Sequence, residues 1–352
     1  MSIVFEEMIN QIKPLDYDAM NKAKNHWDSI GKPLGSLGRL EEAVITLAGI
    51  QGNVKVSVAK RALVIMCADN GVVEEGVTQT GMEVTAIVAE NFLDNKTCVA
   101  LMCEQTATDI FPIDIGMAVD TPRVEKKKIA YGTANMSKGP AMTREQAILA
   151  IEVGINNVKE LKKAGYSLIA TGEMGIGNTT TSSAITSVML NLPVSQVTGR
   201  GAGLSSEGLE RKINVIEKAI SLNKPDLEDP IDVLSKVGGF DIAGLVGLFL
   251  GGAIYGVAVI IDGFISAVAA LIATRLAPGA SDYIIASHSS SEPAVKFLLE
   301  ALGKKPFLTC DMHLGEGSGA VAIMPLLDMA VNIYDKMGTF DDINVTAYRE
   351  LL

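Results

Sequence analysis

From residue 61 onward, short apolar runs that end in polar or glycine-rich turns alternate with longer stretches in which apolar residues recur at helical spacing. The runs predict strands at 62–68, 109–115, 167–171, 257–261, 283–286 and 307–310. The longer stretches predict helices at 82–93, 144–164, 180–190, 208–223, 242–255, 263–274, 292–302 and 321–336. Such alternation implies βαβ units and a mostly parallel sheet, with helices on both faces. The first fifty residues have helical periodicity only, at 8–12, 19–27 and 39–50, around a Gly/Pro loop at 31–38. The expected fold is therefore an α/β protein with a parallel Rossmann-like sheet. A small helical domain would come from both chain ends, residues 1–55 with 325–352, beside a large α/β domain at 56–324.

Five of the predicted strands run into chemistry. They end in Asp69-Asn70-Gly71, in Gly172-Glu173-Met174-Gly175-Ile176-Gly177-Asn178-Thr179-Thr180, in Asp262-Gly263, in Ser287-His288-Ser289-Ser290, and in Asp311-Met312-His313-Leu314-Gly315-Glu316-Gly317. In parallel sheets ligands bind beyond the carboxyl ends of the strands, so these turns together predict one polar pocket at one rim. Gly175, Ile176, Gly177, Asn178 and Thr179 have the composition of an anion cradle, with glycine backbone free to approach a ligand and a helix opening behind it. The cluster Gly199-Arg200-Gly201-Ala202-Gly203 is either a flexible loop or a second wall of that cradle. Glu173 and Glu316 follow glycines, which leave each carboxylate room to project as a base or charge stabiliser.

Charge and composition narrow the partners. A formal net charge of −11 disfavours a nucleic-acid partner, and the run Lys126-Lys127-Lys128 is expected to be a solvated edge. No lysine follows the glycine turn, which argues against triphosphate chemistry and a small-metabolite kinase. The charge-free stretch 242–261 is long enough to span a bilayer. It has acids at both borders and five glycines, so it is expected to split into a buried helix and a strand instead. Cys67, Cys98, Cys103 and Cys310 form no C-x-x-C pair, and His26, His288 and His313 have no metal-ligand spacing. The expectation is a cytoplasmic protein with reduced thiols, no metal and no cofactor.

The stretches KPLGSLGRLEE (32–42), ADNGVVEEGV (68–77), TGEMGIGNTTTSSAI (171–185), GRGAGLS (199–205), GGFDIAGLVG (238–247), IDGFISAVAAL (261–271), SHSSSEP (287–293) and DMHLGEGSGAVAIMPLLDMA (311–330) resemble the nicotinate-nucleotide–dimethylbenzimidazole phosphoribosyltransferases of cobalamin lower-ligand activation. They cover nearly the whole chain in order. The resemblance implies transfer of ribose 5-phosphate from nicotinate mononucleotide to a benzimidazole, with Glu316 as general base and Glu173 as the second carboxylate. It implies a phosphate site lined by Gly175, Gly177, Gly201 and Gly203, with Asp262 and Ser290 nearby. Ile176, Asn178, Thr179, Gly315, His313, Met82 and Asn70 are also placed at the substrates. It implies a homodimer; a heterodimer with a paralogue is the alternative, as is a non-catalytic partner subunit. Three positions depart from the family pattern: Asn70 where His is usual, Gly81-Met82 where Pro-Gln is frequent, and His313 where Arg is common. The first two border the expected base pocket, which leaves phenol, p-cresol and purine acceptors open beside dimethylbenzimidazole.

Overall fold

The computed structural model describes residues 3–348, so the outermost residues of the expected terminal unit, 1–2 and 349–352, lie outside the described residues. Six strands form one sheet: β1 (Arg61–Ala68), β2 (Asp109–Gly116), β3 (Glu125–Lys126), β4 (Leu168–Met174), β5 (Ala258–Ile261) and β6 (Ile284–Ala286). All pair in parallel, in the order β3-β2-β1-β4-β5-β6. Every residue of β1 is buried, as expected of a strand covered on both faces, and this is why it reads as an unbroken apolar run. The order reverses between β1 and β4, and the turns that follow β1, β4, β5 and β6 all emerge on the same edge.

Several predicted boundaries change. Residues 307–310 make one bridge, Leu308 to His288, not a strand; the ladder stops as the chain turns at Asp311, whose φ is 52°. The predicted helix at 8–12 becomes Ile3–Ile9, which ends in a turn at Asn10-Gln11 ahead of Pro14. The predicted 321–336 helix is two, Ser318–Ala322 and Met324–Lys336, separated where Pro325 withholds an N–H. Helices Cys98–Gln105 and Pro230–Val237 lie in stretches with too short a period to register. The lysine run is only partly a solvated edge: Lys128 Nζ lies 3.2 Å from buried Asp114 Oδ2 and 3.1 Å from Asp120 Oδ1.

The apolar stretch 242–261 resolves into helix Phe240–Tyr255 and strand β5. Among the described residues no helix is long and apolar enough to cross a membrane. The glycines of this helix serve close packing. A Cβ on Gly247 would overlap the carbonyl oxygen of Ile151, and one on Gly154 would overlap that of Gly244, so helix Arg144–Lys163 lies almost backbone to backbone against it. Gly247→Ala is expected to destabilise the fold by about 1–3 kcal/mol through overpacking, read as a lower midpoint in chemical denaturation. An unchanged midpoint would mean that the two helices can separate freely.

The two chain ends pack together. Helix Arg39–Gln51 lies against Tyr17–Ser29 and Met324–Lys336, and the Trp27 and Tyr334 rings meet at 5.1 Å. Arg61 of β1 grips Asp328 with two hydrogen bonds of 2.8 and 2.9 Å, tying this helical layer to the sheet. The apolar interior runs without a break from Trp27 and Leu47 into the residues beneath β1 and β4.

Candidate active site

A cavity of about 260 Å³ opens above the carboxyl ends of β4, β5 and β6. Its lining has an acidic end with Glu173, Asp262 and Glu316 and a glycine-lined basic end where Lys212 and Arg200 stand with Glu292, and apolar side chains (Val77, Met174, Ile176, Phe264, Ile265, Leu314) form much of the remaining wall. The crevice where the strand order reverses is not the opening itself. There the turn after β1 packs on the turn after β4: Asn70 Nδ2 reaches Ile176 O at 3.4 Å, and a Cβ on Gly177 would lie 3.2 Å from that of Asn70. The cavity is thereby displaced to the β4–β5 side.

At the acidic end Glu316 stands between Gly315 and Gly317, and all three have positive φ: 86°, 61° and 92°. A left-handed conformation costs a residue with a Cβ on the order of 1–2 kcal/mol and persists only where surrounding structure imposes it. Asp262 imposes it. Its carboxylate accepts the N–H groups of Gly319 (2.7 Å), Gly317 (3.1 Å) and Ala320 (3.2 Å), pinning the chain just beyond Glu316. Glu173 secures the other side by accepting the Glu316 N–H at 3.4 Å. The Glu316 side chain is left with a buried Oε2 that has no hydrogen-bond partner. Burial raises its proton affinity, and the nearby Asp262 adds to the shift. Glu173 is raised further, by burial and then by Asp241. Its Oε2 accepts from Asn178 Nδ2, which also donates to Asp241 Oδ2 at 3.1 Å.

The basic end is built from two helices and the glycine loop. Helix Asn178–Leu190 begins after Gly177, which takes the left-handed conformation at φ 94°. Thr179 in its first turn accepts a 2.7 Å hydrogen bond from Lys212 Nζ, which also donates to Gly199 O at 3.2 Å. Lys212 is 1% exposed and within 4 Å of no carboxylate among the described residues. Burial depresses its pKa to about 8, partly offset by Glu292. A buried ammonium with an unused N–H, beside the left-handed Gly201 and Arg200, is a site for an anion.

Most of the expected residues come together here. Glu316, Glu173, Gly175, Ile176, Gly177, Asn178, Thr179, Gly201, Asp262, Ser290, His313 and Gly315 all line the cavity. Asn70, Met82 and Gly203 do not. Asn70 is buried behind the Gly177 turn, Met82 precedes helix Glu83–Phe92 outside the cavity, and Gly203 gives its carbonyl to Gln79. The expected cradle also changes in kind. The Ile176 N–H is taken by Thr85 Oγ1 at 3.2 Å, and the Asn178 side chain turns inward to the carboxylates. A Cβ on Gly175 would strike Asp241 and the Ala68 carbonyl, so this glycine permits close packing behind the turn. Lys212, Glu292, Phe264 and Leu314 were not foreseen. The signal for Lys212 existed: Gly208, Lys212, Val215, Ile216 and Ala219 share the buried face of helix Ser206–Asn223, where a lysine is out of place.

Comparison with known proteins agrees along the whole chain. A phosphoribosyltransferase family model matches residues 12–345. The nicotinate-nucleotide–dimethylbenzimidazole phosphoribosyltransferase of Ruminiclostridium cellulolyticum is 51% identical over 99% of this chain and 100% of its own length. That of Acetivibrio thermocellus is 50% identical over 97% and 98%. Among solved structures, CobT from Thermus thermophilus superposes with a TM-score of 0.88 at 38% identity, covering 94% of this chain and 99% of its own.

Proposed function

The chain belongs to the nicotinate-nucleotide–dimethylbenzimidazole phosphoribosyltransferase family, and from that membership we propose how its cavity works. The enzyme transfers ribose 5-phosphate from nicotinate mononucleotide to 5,6-dimethylbenzimidazole in cobalamin biosynthesis, giving α-ribazole 5′-phosphate and nicotinate. One observation carries the assignment of roles: the unpartnered carboxyl oxygen of Glu316 shares a cavity with the buried Lys212 ammonium.

Lys212, Thr179 and the Gly201 loop hold the phosphate, and the apolar wall holds the planar rings. Nicotinate leaves from a cationic N-glycosidic bond and needs no proton. Its departure gives the ribose oxocarbenium character, which the carboxylates at the acidic end stabilise electrostatically. The product is the α anomer of a β substrate, so the incoming base attacks from the face opposite the departing ring. One azole nitrogen bonds to the ribose carbon while the other loses its proton to Glu316. Raised proton affinity makes Glu316 a stronger base than an ordinary carboxylate, and the positive charge of the bound nucleotide favours its ionised form.

The sign of the pH dependence follows. Glu316 must be ionised to act, so kcat/KM should fall as pH drops through its raised pKa, with a midpoint above the ordinary glutamate value of about 4.3. A limb at or below that value would remove Glu316 from the role. The function itself is tested by offering nicotinate mononucleotide with a panel of benzimidazoles, purines and phenols. Mass spectrometry identifies the product and NMR the anomer. The expected preference is for 5,6-dimethylbenzimidazole; failure of every acceptor would overturn the assignment. We take the enzyme to be cytoplasmic and homodimeric. The four free thiols suit a reducing compartment, and light scattering reads the oligomer.

A further inference from the structure

Behind the cavity wall, out of reach of any substrate, lies a carboxylic acid that the mechanism above does not use. We infer that Asp241 is a positioning residue for the proposed transfer: through the amide of Asn178 it fixes both the place and the charge of Glu173.

The geometry is specific. Asp241 stands in the first turn of helix Phe240–Tyr255 with no exposure to solvent, and it does not line the cavity. Its Oδ2 and Glu173 Oε2 share a single donor, Asn178 Nδ2. One neutral amide thus bridges two buried carboxyl groups, and among the described residues no salt bridge reaches either of them. Two like charges cannot both persist in such a place, so the pair holds a proton.

Asn70, in the turn after β1, lies beside Asp241. Asn70 Oδ1 is buried and has no hydrogen-bond donor. A Cβ on Gly239 would collide with both Asn70 Oδ1 and Asp241 Oδ1, so both oxygens crowd against that glycine. Asp241 Oδ1 already accepts the Ile242 N–H at 3.0 Å. Burial lifts the pKa of Asp241 to about 7 against the opposing hydrogen bonds of Asn178, Ile242 and Asn70, and it lifts that of Glu173 well above the usual carboxylate range. The titratable groups facing Asp241 are Glu173 on β4 and the buried Cys67 thiol on β1; the other neighbours, Asn70 and Asn178, are neutral.

Asn70 then has a role unlike the one implied by resemblance. It lies beside Asp241 behind the cavity and does not line it. Glu173 is buffered in turn. While Asp241 keeps its proton, Glu173 is held by a neutral partner. Once Asp241 ionises, a second negative charge presses on Glu173 through the shared amide.

Asparagine at 241 reproduces the protonated acid, with Nδ2 in place of the hydroxyl. Asp241→Asn should therefore retain kcat within about threefold at pH 6. It should also lack the fall in kcat that is expected of the parent enzyme as pH rises through about 7. Asp241→Ala leaves the Asn178 amide unfixed and should lose about tenfold or more in kcat, with KM for the nucleotide within about threefold. Loss of kcat in Asp241→Asn as deep as in Asp241→Ala would overturn the proposal, and so would an unchanged profile above pH 7. Infrared spectra, which need no substrate, give a separate reading: a protonated-carboxyl band that titrates near pH 7 in the parent and vanishes in Asp241→Asn. If the parent fails to turn over nicotinate mononucleotide while that band behaves as described, the assigned reaction falls and the protonated Asp241 stands. Absence of the band removes Asp241 from the role whatever the reaction.

Discussion

Glu316→Gln is expected to reduce turnover by roughly 10²–10⁴-fold while leaving the fold and the affinity for nicotinate mononucleotide close to those of the parent. The size of the effect follows from the chemistry. The amide keeps the shape of the side chain but cannot accept the azole proton, and the carboxylates beside it are already engaged. Glu173 gives one oxygen to the Glu316 N–H and the other to Asn178, and both oxygens of Asp262 are held by backbone N–H groups. The small effect on folding follows because Oε2 of Glu316 makes no hydrogen bond that the substitution would break. Glu316→Gly separates the two properties further. It removes the carboxyl and also relieves a side chain held at φ 61°, so it should abolish turnover and stabilise the protein by about 1 kcal/mol. Steady-state kinetics and a denaturant titration read both effects. Turnover near normal in the glutamine variant would dispose of Glu316 as the base.

Lys212→Met is expected to weaken nucleotide binding by about 100-fold, because a charge-assisted contact to phosphate inside a buried site is worth roughly 2–3 kcal/mol. Methionine follows the same path through the helix face and carries no charge, so the protein should not lose stability. The ammonium is disfavoured in the fold, which binds its proton less readily than the unfolded chain does. Its depressed pKa of about 8 means that stability rises with pH between about 8 and the unfolded lysine value. The methionine variant lacks that rise. Binding carries a second signature. At pH 8 roughly half of the free enzyme holds Lys212 deprotonated, and an arriving phosphate draws the proton back. Calorimetry in buffers of different ionisation enthalpy should therefore detect uptake of about half a proton per nucleotide in the parent and none from this group in Lys212→Met. Equal affinity in the two proteins would place the phosphate elsewhere.

These effects depend on how the carboxylates and the lysine are buried, and that is where reading the chain reached its limit. Alternation of apolar runs and helical stretches determined the α/β class and the parallel sheet, because each strand and helix writes its own periodicity into neighbouring residues. The Gly-Glu settings of 173 and 316 marked both carboxylates, since glycine beside an acid leaves a local trace. The motifs together carried the family. The sequence did not determine that residues 307–310 stop at a single bridge. It did not determine that Asn70 fills the crevice it was expected to open onto, or that Gly175 backs onto Asp241. Nor did it place Lys212 beside Thr179 and Gly201. Those facts depend on residues tens of positions apart meeting across packed turns. Burial, which sets whether a lysine is a solvated charge or an anion site and whether an aspartate keeps its proton at neutral pH, is a property of the assembled fold. Tertiary structure alone decided it, because desolvation is contributed by every neighbour in space and by few in sequence.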